Sequence, residues 1–320
     1  MKHTLINTLI SILLLTIAGC DNELEVYAPY KETPVIYCVL DGGVDTQYVR
    51  VAKTYQIEGE SFAGARDSML GYFNEELNVR ISSEQTGLTT TLKPVRLQKD
   101  AGIFNIRNDA YKTTEPFALT PGQFYTVQVY IPSTDKTYAA RVQAIDAPSE
   151  IIFSRNSKLD AGNNNLAITA GRYGRMFSCY VRFYYALCDS PSQASCPERF
   201  IDYFAARNIL ADENKSFESI YITMRGSDWV NYLRRELSAM PGKSFRYLRT
   251  DVNWVSGGSE FELAYYQSLP SLFFVSKSTN TSNIPGALGF VGAMYTSSLQ
   301  NITVDPSLIK SIQTIPGMQK

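Results

Sequence analysis

Apolar positions recur along this chain mainly at every second residue. Pro34-Val35-Ile36-Tyr37-Cys38-Val39-Leu40 is apolar nearly throughout, the composition of a buried strand, and Gly42-Gly43 behind it supplies a turn. Tyr48-Val49-Arg50-Val51-Ala52-Lys53 then alternates as a half-buried partner strand. A loop rich in Gly and Ala is expected from Glu58 to about Asn74, and strand periods return at Val79-Arg80-Ile81 and Thr89-Thr90-Thr91-Leu92. Behind the Pro121-Gly122 turn, Tyr125, Val127 and Val129 share one strand face, and Tyr138-Ala139-Ala140-Arg141-Val142 is the hairpin mate. Further strands are predicted from Cys179 to Tyr185 and from Arg199 to Ala205. Val252 and Trp254 alternate with Asp251 and Asn253 before Gly257-Gly258, and Phe261, Leu263 and Tyr265 alternate after it, which predicts a hairpin. One segment follows the helical period instead: Trp229, Leu233 and Leu237 lie four residues apart, Ser227 is placed to cap, and Pro241-Gly242 stops the run. A short terminal helix is predicted after Asp305-Pro306, with Leu308, Ile309 and Ile312 facing inward.

Many short strands separated by turns predict a mainly β protein. The expected architecture is an immunoglobulin-like β-sandwich over residues 34–147, followed by a β-rich C-terminal domain over 148–320 with one or two short helices. The boundary falls near Ala147-Pro148, and the phrase from Leu119 to Val129 resembles the penultimate-strand region of immunoglobulin-like domains.

The first 19 residues have a different pattern. Lys2 and His3 precede an apolar run from Leu5 to Ile17, the layout of a secretory signal peptide and too short to span a bilayer, which takes about 20 residues. Ile17-Ala18-Gly19-Cys20 resembles the lipobox of bacterial lipoproteins, which implies cleavage between Gly19 and Cys20 and acylation of the Cys20 thiol. Several acyl chains on one residue exceed the two-signal minimum for stable anchoring. Residues 20–33 then form a polar tether, whose thirteen residues beyond the anchor reach at most about 45 Å. Asp21, Glu23 and Glu25 resemble the acidic signal that directs Bacteroidota lipoproteins to the cell surface, so the expected location is the outer membrane.

Composition then removes several kinds of chemistry. The only histidine is His3, inside the predicted signal peptide. A chain processed at Cys20 therefore has no imidazole for Ser-His-Asp or Cys-His catalysis, or for histidine-ligated zinc, copper or haem. Thirty basic side chains against 31 acidic ones give no reason to expect a nucleic-acid partner. No cofactor or metal is expected, and the cysteines lack the tight paired spacing of a four-cysteine site. Cys188 and Cys196 flank a short turn and are the favoured disulfide; Cys38 either pairs with Cys179 or remains a buried thiol. Asp251 with Glu260 or Glu262 is the best carboxylate pair for glycoside hydrolysis, but alternation assigns these acids to a solvated strand face. Trp229 and Trp254 occupy inward positions, whereas Tyr184-Tyr185 and Tyr265-Tyr266 could furnish an exposed binding face. Small residues from Ala287 to Ala293 indicate tight backbone packing rather than a phosphate loop. Asp67-Ser68-Met69 matches a short O-glycosylation motif of Bacteroidota, with Ser68 as acceptor.

Three segments together resemble a family of Bacteroidota outer-membrane lipoproteins. They are the hairpin Tyr37-Cys38-Val39-Leu40-Asp41 with Tyr48-Val49-Arg50-Val51, the Leu119-x-Pro121-Gly122 strand, and Ala287-Leu288-Gly289-Phe290-Val291-Gly292. The resemblance implies a surface or periplasmic accessory protein, held by its N-terminal lipid beside an outer-membrane β-barrel or another lipoprotein, and it carries over no catalytic residue. A glycan-binding module or adhesin is the alternative, and a carboxylate-dependent glycosidase a more distant one. Replacing Cys20 with Ser is expected to abolish acylation and release or mislocalise the protein. Mass spectrometry of the fractionated mutant checks this, and a processed, membrane-bound Cys20→Ser protein would refute the lipoprotein reading.

Overall fold

The computed structural model describes residues 30–56, 70–97, 108–153, 158–193, 195–211, 219–268 and 282–319. Residues 33–320 form one compact unit, and the protein is mainly β with few, short helices.

The first seven strands are β1 (Pro34–Asp41), β2 (Tyr48–Lys53), β3 (Asn78–Ser83), β4 (Thr89–Arg96), β5 (Asp109–Thr113), β6 (Phe124–Ile131) and β7 (Lys136–Gln143). They lie in the order β1-β2-β5-β4-β3-β6-β7. Read as two layers, 1-2-5-4 and 3-6-7, this is the immunoglobulin strand order, with hydrogen bonds between β3 and β4 joining the layers into one sheet. The corner before β6 has the matching detail. The Tyr125 hydroxyl accepts a 2.8 Å hydrogen bond from the Thr120 amide, the tyrosine-corner contact that fixes the chain as it enters this strand. Sequence alternation overlooks β5, because Asp109-Ala110-Tyr111-Lys112-Thr113 offers little apolar contrast.

The second half supplies β8 (Glu150–Phe153), β9 (Lys158–Leu159), β10 (Asn163–Thr169), β11 (Met176–Cys188), β12 (Glu198–Leu210) and β13 (Ser219–Arg225). There follow α1 (Gly226–Ser238), β14 (Ser244–Gly257), α2 (Ser259–Ser268), β15 (Leu288–Leu299), β16 (Thr303–Val304) and α3 (Pro306–Gln313). The long strands β12, β11, β14 and β15 pair antiparallel in that order. On one of their faces, a small sheet of β13, β10 and β8 and helices α1 and α3 close a core around Phe177, Phe183, Trp229, Leu233, Val252 and Trp254. A separate core, built on Ile36, Leu40, Val79, Ile81, Val127 and Val142, fills the first half.

One strand joins the two halves. Residues 288–294 of β15 run parallel to β1, and residues 294–299 run antiparallel to β14. The sheet is therefore continuous over eleven strands, and Val291 and Ala293 are packed into the N-terminal core although they lie far along the chain. Gly289 makes the parallel half fit. Its φ is +115°, and a Cβ there would lie 1.9 Å from the Ile36 carbonyl oxygen. No side chain can be accommodated at that approach.

Two predicted features are corrected. Ser227 does not cap α1. The helix starts at Gly226 with Arg225 in the cap position, two residues earlier, and the Gly226 and Ser227 amides donate to the carbonyls of Gly162 and Ala161 at 3.0 and 3.2 Å, so loop carbonyls satisfy the first turn. A Cβ on Gly226 would lie 1.9 Å from the Asp160 carbonyl oxygen, which is why a glycine opens this helix. The segment after Gly257-Gly258 is helix α2, not the returning strand of a hairpin. The Phe261 amide donates to the Gly258 carbonyl at 3.1 Å, and Glu260 and Glu262 sit in the first turn, where the helix dipole favours carboxylates. The alternation of Phe261, Leu263 and Tyr265 is overridden by this start signal and by the β-breaking glycine pair. The terminal helix forms as predicted. Asp305 caps it by accepting from the Ser307 amide at 2.8 Å and also binds Lys158 at 2.7 Å, and these contacts hold its carboxyl well below the usual carboxylate range.

Candidate functional site

Opposite the C-terminal core, strands β12, β11 and β14 present a second face. Period-2 alternation carries Tyr180, Arg182 and Tyr184 of β11 onto it, because Phe177, Cys179, Val181 and Phe183 are committed inward. The ladder register sets Phe204 and Asn253 beside Tyr180, Asp202 and Asp251 beside Arg182, and Phe200 and Arg249 beside Tyr184. Arg182 is the centre. It grips Asp202 through two parallel bonds of 2.7 and 2.8 Å, and its guanidinium lies 4.0 Å from the Phe200 ring centroid and 5.3 Å from that of Tyr180. The Asp202 bonds raise its pKa further and keep it charged. Arg249 repeats the arrangement, 3.6 Å over Tyr184 and held by Glu198 at 3.0 and 3.2 Å. Arg207 lies 3.6 Å over Phe204. Phe200 is 53% exposed and Phe204 37%. The result is a strip of alternating rings and guanidinium planes whose polar groups are largely paired within the strip.

Tyr184-Tyr185 and Asp251 are sequence-predicted residues on these strands. Tyr184 lies in the strip, whereas Tyr185 is buried in the core. The signal that sequence reasoning missed is legible in hindsight: Tyr180-x-Arg182-x-Tyr184 and Phe200-x-Asp202-x-Phe204 each place a charge between two aromatics at strand spacing.

The other singled-out residues fall in several places. Cys188 and Cys196 form a disulfide, which on the chain-entropy model stabilises by about 2.5 kcal/mol for a loop of this size. Cys38 and Cys179 are free thiols buried in different cores; burial pushes Cys38 up to about 12 and raises Cys179 too, so both are unreactive as nucleophiles. Trp229 and Trp254 are fully buried with no hydrogen-bond partner for either indole N–H among the described residues, so apolar packing holds them. Gly19, Cys20 and Ser68 lie outside the described residues, as do the side chains of Tyr265 and Tyr266.

The carboxylate pair does not sit on a solvated face. Asp251 is 4% exposed and accepts a 2.8 Å bond from the Asn301 amide, which pins the turn after β15. Glu262 is buried in α2. Glu260 accepts from the Gln143 backbone while its Oε2 is buried without a partner among the described residues, and burial pushes its carboxyl up. These are packed groups rather than a pair facing a substrate. A cavity of about 480 Å³ lies elsewhere, where residues 72–77 meet β4 and β5, lined by Val51, Tyr72, Phe73, Leu77, Val95 and Tyr111 among others and by none of these three acids. Among the described residues, no group of three or more His, Cys, Asp or Glu is placed to hold a metal ion. No family model and no curated protein matches the sequence.

Glu260 gives a pH signature. Its folded-state pKa lies above the unfolded value, so the penalty is absent at low pH and grows as pH rises through the folded pKa. Glu260→Gln is therefore expected to raise the unfolding midpoint near neutral pH, with the difference closing as pH falls towards the ordinary glutamate value of about 4.3. Thermal melts across that window check this, and a difference that is constant or widens on acidification would contradict it.

Proposed function

We propose that this protein is a lipid-anchored accessory subunit at the bacterial outer membrane, which works by binding a protein partner rather than by catalysis. The observation that carries the reading is the ring-and-guanidinium strip on β11, β12 and β14. Tyr, Phe and Arg are the residue types enriched in protein–protein interfaces. Planar guanidinium groups already stacked on rings lose less side-chain freedom when a partner arrives. Sugar-binding platforms need open ring faces, and at Tyr184, Phe200 and Phe204 a guanidinium centre lies within 4.0 Å of the ring centroid. That favours a protein over a glycan.

The anchor belongs to the same reading. No helix among the described residues is long and apolar enough to cross a membrane, so lipid on Cys20 would supply the attachment. A tether of residues 20–33 would keep the binding face within a few tens of ångströms of neighbouring membrane proteins. Tethering raises the effective concentration of such a neighbour, and a modest intrinsic affinity then suffices.

The test is cross-linking of detergent-extracted complexes. Arg182→Lys combined with Tyr184→Ala removes the bidentate grip and its neighbouring ring while leaving the charge. The expected outcome is at least a tenfold loss of cross-linked complex, with the variant still folded and membrane-bound. Inserting about twenty Gly/Ser residues into the tether should weaken the complex as well. An unchanged complex in both variants would overturn the proposal. A loss of cellular function on Asp251→Asn, with fold and complex intact, would point to carboxylate chemistry instead.

A further inference from the structure

The eleven-stranded sheet has two end strands, and they are treated differently. β7 turns back against β15 and carries Lys136 and Arg141. β12, at the other end, runs for 13 residues with no strand on its outer side among the described residues. Exposed edges are normally blunted by lysine, proline, bulges or unpaired charge. Beyond Phe204, β12 has such a device, since its pairing with β11 shifts register on both sides of Ala206 and Asn208 adopts a φ of 53°. Its middle has none. Phe200-Ile201-Asp202-Tyr203-Phe204 contains no Lys, Pro or Gly, and its one charge is taken up by Arg182 through the bonds of 2.7 and 2.8 Å.

This pentapeptide also reads alike in both directions. A phenylalanine stands at each end, a large apolar or aromatic residue lies next inside, and an aspartate sits at the centre. When an antiparallel strand pairs with a copy of itself, residue i faces residue j and residue j faces residue i, so a segment centred on Asp202 sets each phenylalanine against another phenylalanine.

We propose that two copies of this chain associate edge to edge through β12, antiparallel and centred on Asp202, so that the sheet continues across a twofold axis. In this register the Phe200 of one protomer lies opposite Phe204 of its partner, and the reverse, on the face that carries the strip. On the other face Ile201 lies opposite Tyr203, beside the ring of Tyr232 on α1. Cross-strand aromatic pairs of this kind stabilise sheets beyond backbone pairing alone. The two aspartates meet at the axis, each already bonded to its own arginine, so the like-charge contact is that of two neutralised pairs. The pairing would unite the two strips into one band, but it does not depend on which outer-membrane protein binds there.

Sedimentation of the purified, detergent-solubilised protein tests the pairing, supported by cysteine cross-linking. The wild-type chain is expected to sediment as a dimer. Phe200→Lys with Phe204→Lys should weaken association at least tenfold, with an unchanged circular dichroism spectrum showing that the fold survives. Because residue 200 faces residue 204, a mixture of Phe200→Cys chains and Phe204→Cys chains should form a disulfide-linked dimer on oxidation, whereas neither variant alone should. A monomeric wild-type protein, or cross-linking equally efficient in each single variant alone, would overturn the proposal.

Discussion

A β-strand can serve two different partners along its length only where its backbone comes close enough to each without side-chain obstruction. β15 meets that requirement through Gly289, whose +115° φ and approach to the Ile36 carbonyl exclude any Cβ. Upstream of Met294 the strand completes the immunoglobulin-like half beside β1, and downstream it completes the long-stranded half beside β14. Met294 itself is paired on both sides, with Asp41 and with Gly257. Asp41 reinforces the junction by accepting from the amide of Thr296 at 3.3 Å and its hydroxyl at 3.1 Å. Two cores that are separate in their side chains are thereby joined through one backbone, and neither half is complete without a strand from the end of the chain.

That construction also explains the character of the outer strip. β11 and β14 are 13 and 14 residues long, and both are held on one face by the C-terminal core. Their other face is a rigid surface on which rings and guanidinium groups stand in register. Pairing Arg182 with Asp202 and Arg249 with Glu198 leaves Arg207 and the buried Asp251 as the remaining charges of the strip, one of each sign. A neutral aromatic surface with its cations already oriented is suited to burial against another protein, since few unpaired charges need be stripped of water.

The legible part of the fold was the part with local contrast. β1, β2, β6 and β7 are evident because apolar patterning and a Gly-Gly or Pro-Gly turn coincide there, and the phrase from Leu119 to Val129 resembles the penultimate-strand region of immunoglobulin-like domains, whereas the Tyr125 contact with the Thr120 amide is visible only in the fold. α1 was evident from Trp229, Leu233 and Leu237, all of which are buried. The start of β15 shows in the sequence only as tight packing, because glycines and alanines give no alternation signal; its partner, β1, lies some 250 residues away in sequence. α2 is hidden in the sequence because three alternating apolar residues resemble a strand, and the Phe261–Gly258 hydrogen bond that starts the helix is visible only in the fold. The strip escaped for a related reason. Its aromatics are divided between two strands, and only the β11–β12 register brings Arg182 to Asp202.

The central claim, that β15 makes one cooperative unit of two cores, can be tested with the chain's own reporters. Both tryptophans, Trp229 and Trp254, lie in the C-terminal core, while Gly289 lies where β15 meets β1. Urea unfolding of Gly289→Ala followed by tryptophan fluorescence therefore reads a lesion in one half from probes in the other. Backbone strain and the carbonyl clash are expected to cost at least about 2 kcal/mol, and the account requires that loss to appear in full in the tryptophan transition. A lowered midpoint with a single transition is the predicted result. A tryptophan transition that stays at the wild-type midpoint, while the N-terminal half unfolds earlier, would contradict it.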